Sequence, residues 1–292
     1  MSTLQAAARI GISSPIVTAN PGAHSPWEAT AGIAELARIA EAADRLGFHH
    51  LTCSEHVAVP TAVAAERGAT YWDPLATLGY LAARTERIRL ATQVLVLGYH
   101  HPLEIAKRYG TLDVVSGGRL ILGLGVGSLQ QEFDLLGATF EGRGDIADDA
   151  LAALRTSLGR RTPSYDGTHF SFRDLVVEPH AVQDAVPLWI GGRTARSLRR
   201  AVTLGDGWVP FGLALDALAS MLERTELPDG FEVVLSAGAP VDPMGDPDGT
   251  IARIRRVRAA GATRVSTAVH AESASHYCEQ LAALAALSED ID

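Results

Sequence analysis

The stretch from Arg87 to Leu136 limits the fold more than any other part of the chain. It reads as a strand (Ile88–Gln93), a loop with His100-His101-Pro102, a helix (Leu103–Val115), a Ser-Gly-Gly turn and a strand (Leu120–Leu124). An amphipathic helix between two apolar runs rich in strand-forming residues makes a βαβ unit, and its two strands run parallel. The same alternation fills the rest of the chain. Further strands are expected at Arg9–Ser13, His49–Cys53, Pro187–Ile190, Gly207–Pro210, Phe231–Leu235 and Arg264–Thr267. Helices are expected over Gly32–Leu46, from Asp73-Pro74 onward, and over Thr194–Leu204, Leu215–Arg224, Pro247–Ala260 and Ser273–Leu287. Eight parallel strands, each followed by a helix, define an α/β fold of the (β/α)8 TIM-barrel type. A length of 292 residues suits one such barrel, a single domain over residues 1–292. Ser128–Val186 is an insertion between strand 4 and strand 5, expected to hold a helix (Asp145–Ser157) and a hairpin (Tyr165–Val177) turning at Asp166-Gly167.

Composition removes several function classes. A formal charge of −9 argues against a nucleic-acid surface. No apolar run reaches the roughly 18 residues that cross a bilayer. No charged n-region followed by an apolar run opens the chain, so the expected compartment is the cytoplasm. Cys53 and Cys278 lie far apart and outside any metal-spaced motif. Lys107 is the only lysine and falls in the middle of a helix, which disfavours Schiff-base and pyridoxal-phosphate chemistry. No His-x-His follows the first strand and no acidic or histidine cluster has ligand spacing, so no metal is expected. His49 and His50, adjacent on a strand, should point to opposite faces. His100-His101 has no carboxylate within easy reach in sequence. Gly123-x-Gly125-x-Gly127 resembles a dinucleotide loop, but Ser128 stands where its last glycine belongs, and crowded barrel loops use glycine too.

A barrel carries its active site at the C-terminal ends of its strands. That rule selects Ser54-Glu55-His56, Gln93–Tyr99, Gly125–Gln131, Gly191–Thr194, and Trp208 with Phe211. Glu55 and His56 put an acid and an imidazole at one strand end, a proton-handling pair. Gly191-Gly192-Arg193-Thr194 is a glycine turn opening a helix, with free backbone N–H groups and a guanidinium that favour a phosphate. Val94, Leu95, Trp208 and Phe211 give an apolar lining suited to a flat ring. With few acids or nucleophiles at the rim, a bound cofactor is expected to carry the reaction.

These residues match a known pattern. The chain resembles the luciferase-like flavin and deazaflavin oxidoreductases, and looks most like the branch that uses coenzyme F420. The resemblance rests on residues 101–137 (HPLEIAKRYGTLDVVSGGRLILGLGVGSLQQEFDLLG). Support comes from Tyr71-Trp72-Asp73-Pro74, Ser54-Glu55-His56-Val57, Leu188-Trp189-Ile190-Gly191-Gly192 and Gly205-Asp206-Gly207-Trp208. It implies a small-molecule substrate, a homodimer and hydride transfer to or from F420. His56 would lie against the central ring as proton donor or acceptor; the family's usual Asp-His reads Glu55-His56 here. A cis-peptide bulge behind the ring would fall at Gln93-Val94. Gly191, Gly192 and Arg193, with the helix from Thr194, would hold the phosphate, and Ser128 and Gln131 would add cofactor contacts. Sugar-phosphate dehydrogenases of the family carry a catalytic acid where Ser128 stands, and use lysines that this chain lacks, so a glucose-6-phosphate-type substrate is not expected. Asp113 and Arg119 belong to the family pattern and read as structural. The alternatives are an FMN-dependent monooxygenase on the same fold and a non-catalytic cofactor or ligand carrier.

Overall fold

The structure is a computed structural model that describes residues 7–19, 21 and 24–291. Eight strands close on themselves: β1 (Ile10–Ile12), β2 (His50–Cys53), β3 (Arg89–Thr92), β4 (Leu120–Gly125), β5 (Leu188–Gly191), β6 (Gly207–Val209), β7 (Glu232–Ser236) and β8 (Arg264–Thr267). They lie in the order β3-β2-β1-β8-β7-β6-β5-β4, and β3 pairs with β4 to complete the ring. Every pairing in the ring is parallel. The expected (β/α)8 barrel is the fold.

Each connecting helix buries one apolar stripe on the strands. In α1 (Ile33–Leu46) the buried side chains include Leu36, Ala37, Ile39, Ala40 and Ala43, and Gly47 ends it in the left-handed region at φ 81°. Asp73 caps the helix Pro74–Arg84, its carboxylate accepting the Ala76 N–H at 2.7 Å. Asp113 and Arg119 act as structure, as expected. Asp113 is fully buried and accepts N–H bonds from Val182, Gln183 and Leu120, tying the insertion to β4. Arg119 satisfies the carbonyls of Ala82, Thr85, Ile88 and Ser116.

Three local expectations change. First, β3 is interrupted. Its register to β4 runs Leu90↔Leu120 and Ala91↔Ile121, then resumes one residue out of step as Leu95↔Leu124 and Val96↔Gly125. Gln93 and Val94 form the bulge between, and the peptide joining them is cis. Second, the loop Val57–Thr70 contains a helix, Thr61–Arg67, and the insertion contains another, Gln130–Leu136. Both are two turns or less, too short for a helical period to register in sequence. The hairpin is also shorter than expected, pairing Tyr165–Asp166 with Ser171–Phe172. Third, His49 and His50 do not point apart. Their Nδ1 atoms lie 2.9 Å from each other, because His49 sits in the bend before β2 rather than in the extended backbone where side chains alternate.

This histidine pair belongs to a polar plug at the N-terminal end of the barrel. The His50 ring fills the space above Gly11, where a Cβ would come 1.9 Å from it, and its Nε2 meets Ser266 Oγ at 3.1 Å. Beside it, Trp189 Nε1 and Arg264 Nε both donate to Glu232. Burial, helped by the Arg264 and Arg89 charges, pushes His50 down to about 3; burial and then its neighbour His50 push His49 down to about 2. Unfolded histidine binds its proton near pH 6.5, so between that value and the folded ones the unfolded chain holds more protons. Stability is therefore full above about pH 6.5 and falls as the pH drops below it. The urea midpoint should fall between pH 7 and pH 5 in the wild type, and fall less in a His49→Gln/His50→Gln double variant. Equal slopes would count against this account. Among the described residues no helix is long and apolar enough to cross a membrane.

Candidate functional site

At the C-terminal ends of the strands lies a cavity of about 570 Å³. It runs from Ser54, Glu55 and His56 after β2, past Gln93 and Val94, to Gly191–Thr194 after β5. The floor is built by small residues yielding to Val94. A Cβ on Gly125 would come 2.7 Å from Val94 Cγ2, and one on Gly191 would come 3.0 Å from Val94 Cγ1. Glycine at these positions lets the Val94 side chain stand as a raised apolar floor, so Gly123–Gly127 serves packing. The Gln93 amide oxygen is buried on the same wall without a hydrogen-bond partner. An orphaned buried acceptor costs free energy unless a ligand donates to it.

The β5 end has the anatomy of an anion site. Thr194 caps the helix Ala195–Leu204, with its Oγ accepting the Ser197 N–H at 3.2 Å. Gly192 takes φ 141°, a region L side chains rarely adopt, and turns the chain onto that helix start. Arg193, Arg196, Arg200 and Arg143 line this end. Arg196 pairs with Asp145 at 2.5 Å, Arg200 with Asp148, and Arg143 lies over the Phe140 ring at 3.7 Å. Arg193 instead reaches over Phe211 at 5.8 Å and makes no ion pair among the described residues.

At the opposite end the acid expected beside His56 is a different one. Glu55 Oε1 lies 2.7 Å from His100 Nε2 and Glu55 Oε2 accepts the Val96 N–H at 2.7 Å, so its carboxylate clamps the chain after the bulge. The Glu55–His56 pairing is thereby corrected, and so is the reading of His100: Glu55 reaches its Nε2 from the loop after β2, and Glu104, four residues on in sequence, lies 3.8 Å from its Nδ1. Burial pulls His100 down, but its bond to Glu55 and that negative charge win and hold it above the usual histidine range. His56 meets Glu132 instead, with Nδ1 2.6 Å from Oε2. Glu132 is fully buried. Tyr99 Oη donates to the same oxygen at 2.7 Å, while Val57 N and Ala58 N donate to Oε1 at 2.6 and 3.1 Å. Burial would raise the Glu132 carboxyl, but bonds from His56, Tyr99 and Ala58 outweigh it and leave it below the usual range, ionised. Burial and the Glu132 charge raise Tyr99, which stays a protonated donor. Tyr71 packs edge-on against the His56 ring, 4.5 Å between centroids.

Of the residues selected in sequence, Glu55, His56, Gln93, Val94, Ser128, Gly191, Gly192, Arg193 and Thr194 all line the cavity. Gln131 is exposed outside it, and Leu95 and Trp208 are buried in the core rather than facing it. Of the loop Val57–Thr70, only Arg67 contributes to the lining, reaching Ser128 Oγ at 3.5 Å. Sequence reasoning missed Glu132, Arg67 and Arg143, and reached Tyr99 only as the end of the stretch Gln93–Tyr99, without a role.

Residues 9–237 match the luciferase-like monooxygenase family, and the chain belongs to that family. Protein y4wF of Sinorhizobium fredii is 32% identical over 169 residues, 57% of this chain and 47% of its own length. The match thus spans about half of that relative. Among solved structures, the monooxygenase RslO1 from Streptomyces bottropensis superposes with a TM-score of 0.73 at 23% identity, over 95% of this chain and 98% of that one. The coenzyme F420 dependent tetrahydromethanopterin reductase from Methanopyrus kandleri gives a TM-score of 0.69 at 15% identity, over 94% and 97%. Identities this low speak for the fold alone.

Proposed function

We propose that this protein is a cytoplasmic, homodimeric oxidoreductase that transfers hydride between coenzyme F420 and a small organic substrate. One observation carries the reading: a single cavity joins an apolar floor at Val94, an orphaned acceptor on Gln93, an anion site at Gly192–Thr194 and an imidazole, His56. A ribityl-phosphate deazaflavin fits that set. Val94 would support the ring, Gln93 Oε1 would accept from an imide N–H, and the helix start with Arg193 would hold the phosphate. When bound, the deazaflavin supplies hydride acceptance and release. His56 Nε2 takes or gives the accompanying proton, Tyr71 shields that ring from water, and Arg193 neutralises the phosphate. Glu55 acts at one remove, through the chain segment that carries Val96.

An FMN-dependent monooxygenase is the second reading. It is favoured by the family match and by the terminal phosphate of FMN, which the same turn would grip equally well. Titration separates the two. The purified protein should quench or shift F420 fluorescence with saturation, while FMN added at the same concentrations shows weaker binding. A protein that purifies yellow, binds FMN and leaves F420 fluorescence unchanged contradicts the first reading and supports the second.

A further inference from the structure

We propose that Glu132 is a positioning residue that fixes the tautomer of His56, placing the proton on Nδ1 and leaving Nε2 as a hydrogen-bond acceptor toward the cavity. The role of Nε2 in turnover rests on the oxidoreductase reading above; the tautomer does not. An ionised carboxylate only accepts hydrogen bonds, so the 2.6 Å contact between His56 Nδ1 and Glu132 Oε2 requires the proton on Nδ1. The carboxylate has no freedom to turn away. Val57 N and Ala58 N hold Oε1, Tyr99 Oη holds Oε2 beside the imidazole, and the whole group is buried. No described residue bonds Nε2, and His56 lines the cavity. The substrate or cofactor group that meets the neutral ring therefore presents an O–H or N–H to it. The arrangement is assembled from three separate parts of the chain. The loop after β2 gives His56, the turn after the bulge gives Tyr99, and the helix Gln130–Leu136 gives Glu132.

Glutamine at 132 is a selective probe because its carbonyl can still accept from Val57 N and Ala58 N, so the loop keeps its anchor. Its NH2 then faces His56 Nδ1 and donates to it, which drives the proton to Nε2. Nitrogen-15 spectra of the full-length protein labelled at histidine, at a pH where the ring is neutral, read the tautomer without any cofactor. The wild type and Tyr99→Phe should show a protonated Nδ1 and a bare Nε2 for His56; Glu132→Gln should show the reverse. With the F420-loaded enzyme and a substrate found by screening, Glu132→Gln should lose about 10²-fold in kcat, the usual scale of a misplaced general base. KM and F420 affinity should stay within about threefold, and Tyr99→Phe should lose less than about tenfold. A wild-type His56 carrying its proton on Nε2, or a Glu132→Gln variant that keeps the wild-type tautomer, overturns the proposal. So does a variant whose kcat is unchanged, or whose F420 affinity falls as far as its kcat, since Glu132 would then be a loop anchor alone. Failure of F420 to bind the wild type contradicts the cofactor assignment and leaves the tautomer result standing.

Discussion

Replacing His56 with glutamine should lower turnover by about 10²-fold or more while F420 affinity changes little, because proton transfer by a positioned group is worth about 10²–10⁴ in rate. His56 is the one imidazole lining the cavity among the described residues, and Glu132 occupies only its Nδ1. Glutamine keeps much of the volume and a polar end, so Tyr71, now 4.5 Å from the ring centroid, retains a neighbour. The loss should therefore appear in kcat, measured as cofactor absorbance change per second at saturating substrate. An unchanged kcat would remove His56 from the chemistry and make another cavity group the proton carrier.

Gly192→Val should cost about 100-fold in cofactor affinity, by distorting the turn proposed to hold the phosphate rather than by removing any side-chain contact. Two effects combine at this position. A side chain at φ 141° is strained in any surroundings, and a Cβ would come 2.5 Å from Ser197 Cβ and 2.8 Å from Ser197 Oγ. Ser197 is fixed from both sides by its reciprocal bonds with Thr194. The turn must yield, and it carries Arg193 away from the helix start. Charge-assisted bonds to phosphate are worth about 1.5–3 kcal/mol, and every 1.4 kcal/mol is tenfold in Kd. Fluorescence titration of the variant, with a thermal melt confirming that it folds, checks this. Wild-type affinity in a folded Gly192→Val protein would mean that the phosphate binds elsewhere.

The barrel was legible because each of its signals is local. Alternation of apolar runs, Asp73-Pro74 at a helix start and Gly47 at a helix end are written within a few residues, and the strands fall within one or two residues of expectation. The cavity was legible in part for a related reason: strand ends are sequence positions, and the barrel rule turns them into a site. What stayed hidden is what depends on partners distant in the chain. Glu55 and His56 are adjacent, yet one turns to His100 and the other to Glu132, because each side chain answers to a different neighbouring strand end. His49 and His50 show the converse, since a bend one residue before β2 brings together two rings that strand geometry would separate. The charge on Glu132 reads as surface in sequence. Only the convergence of four donors makes its burial tolerable.

On the proposed function, the cavity over Val94 holds the deazaflavin ring with its phosphate at the β5 end. A crystal structure of the protein soaked with F420 tests it most directly. The tricyclic ring should lie on Val94, with His56 Nε2 within hydrogen-bond reach of the ring or of the space above it, Gln93 Oε1 bonded to the imide, and the phosphate on the amides of Gly192–Thr194. Ring density away from Val94, or a phosphate bound at the end of another strand, would contradict it.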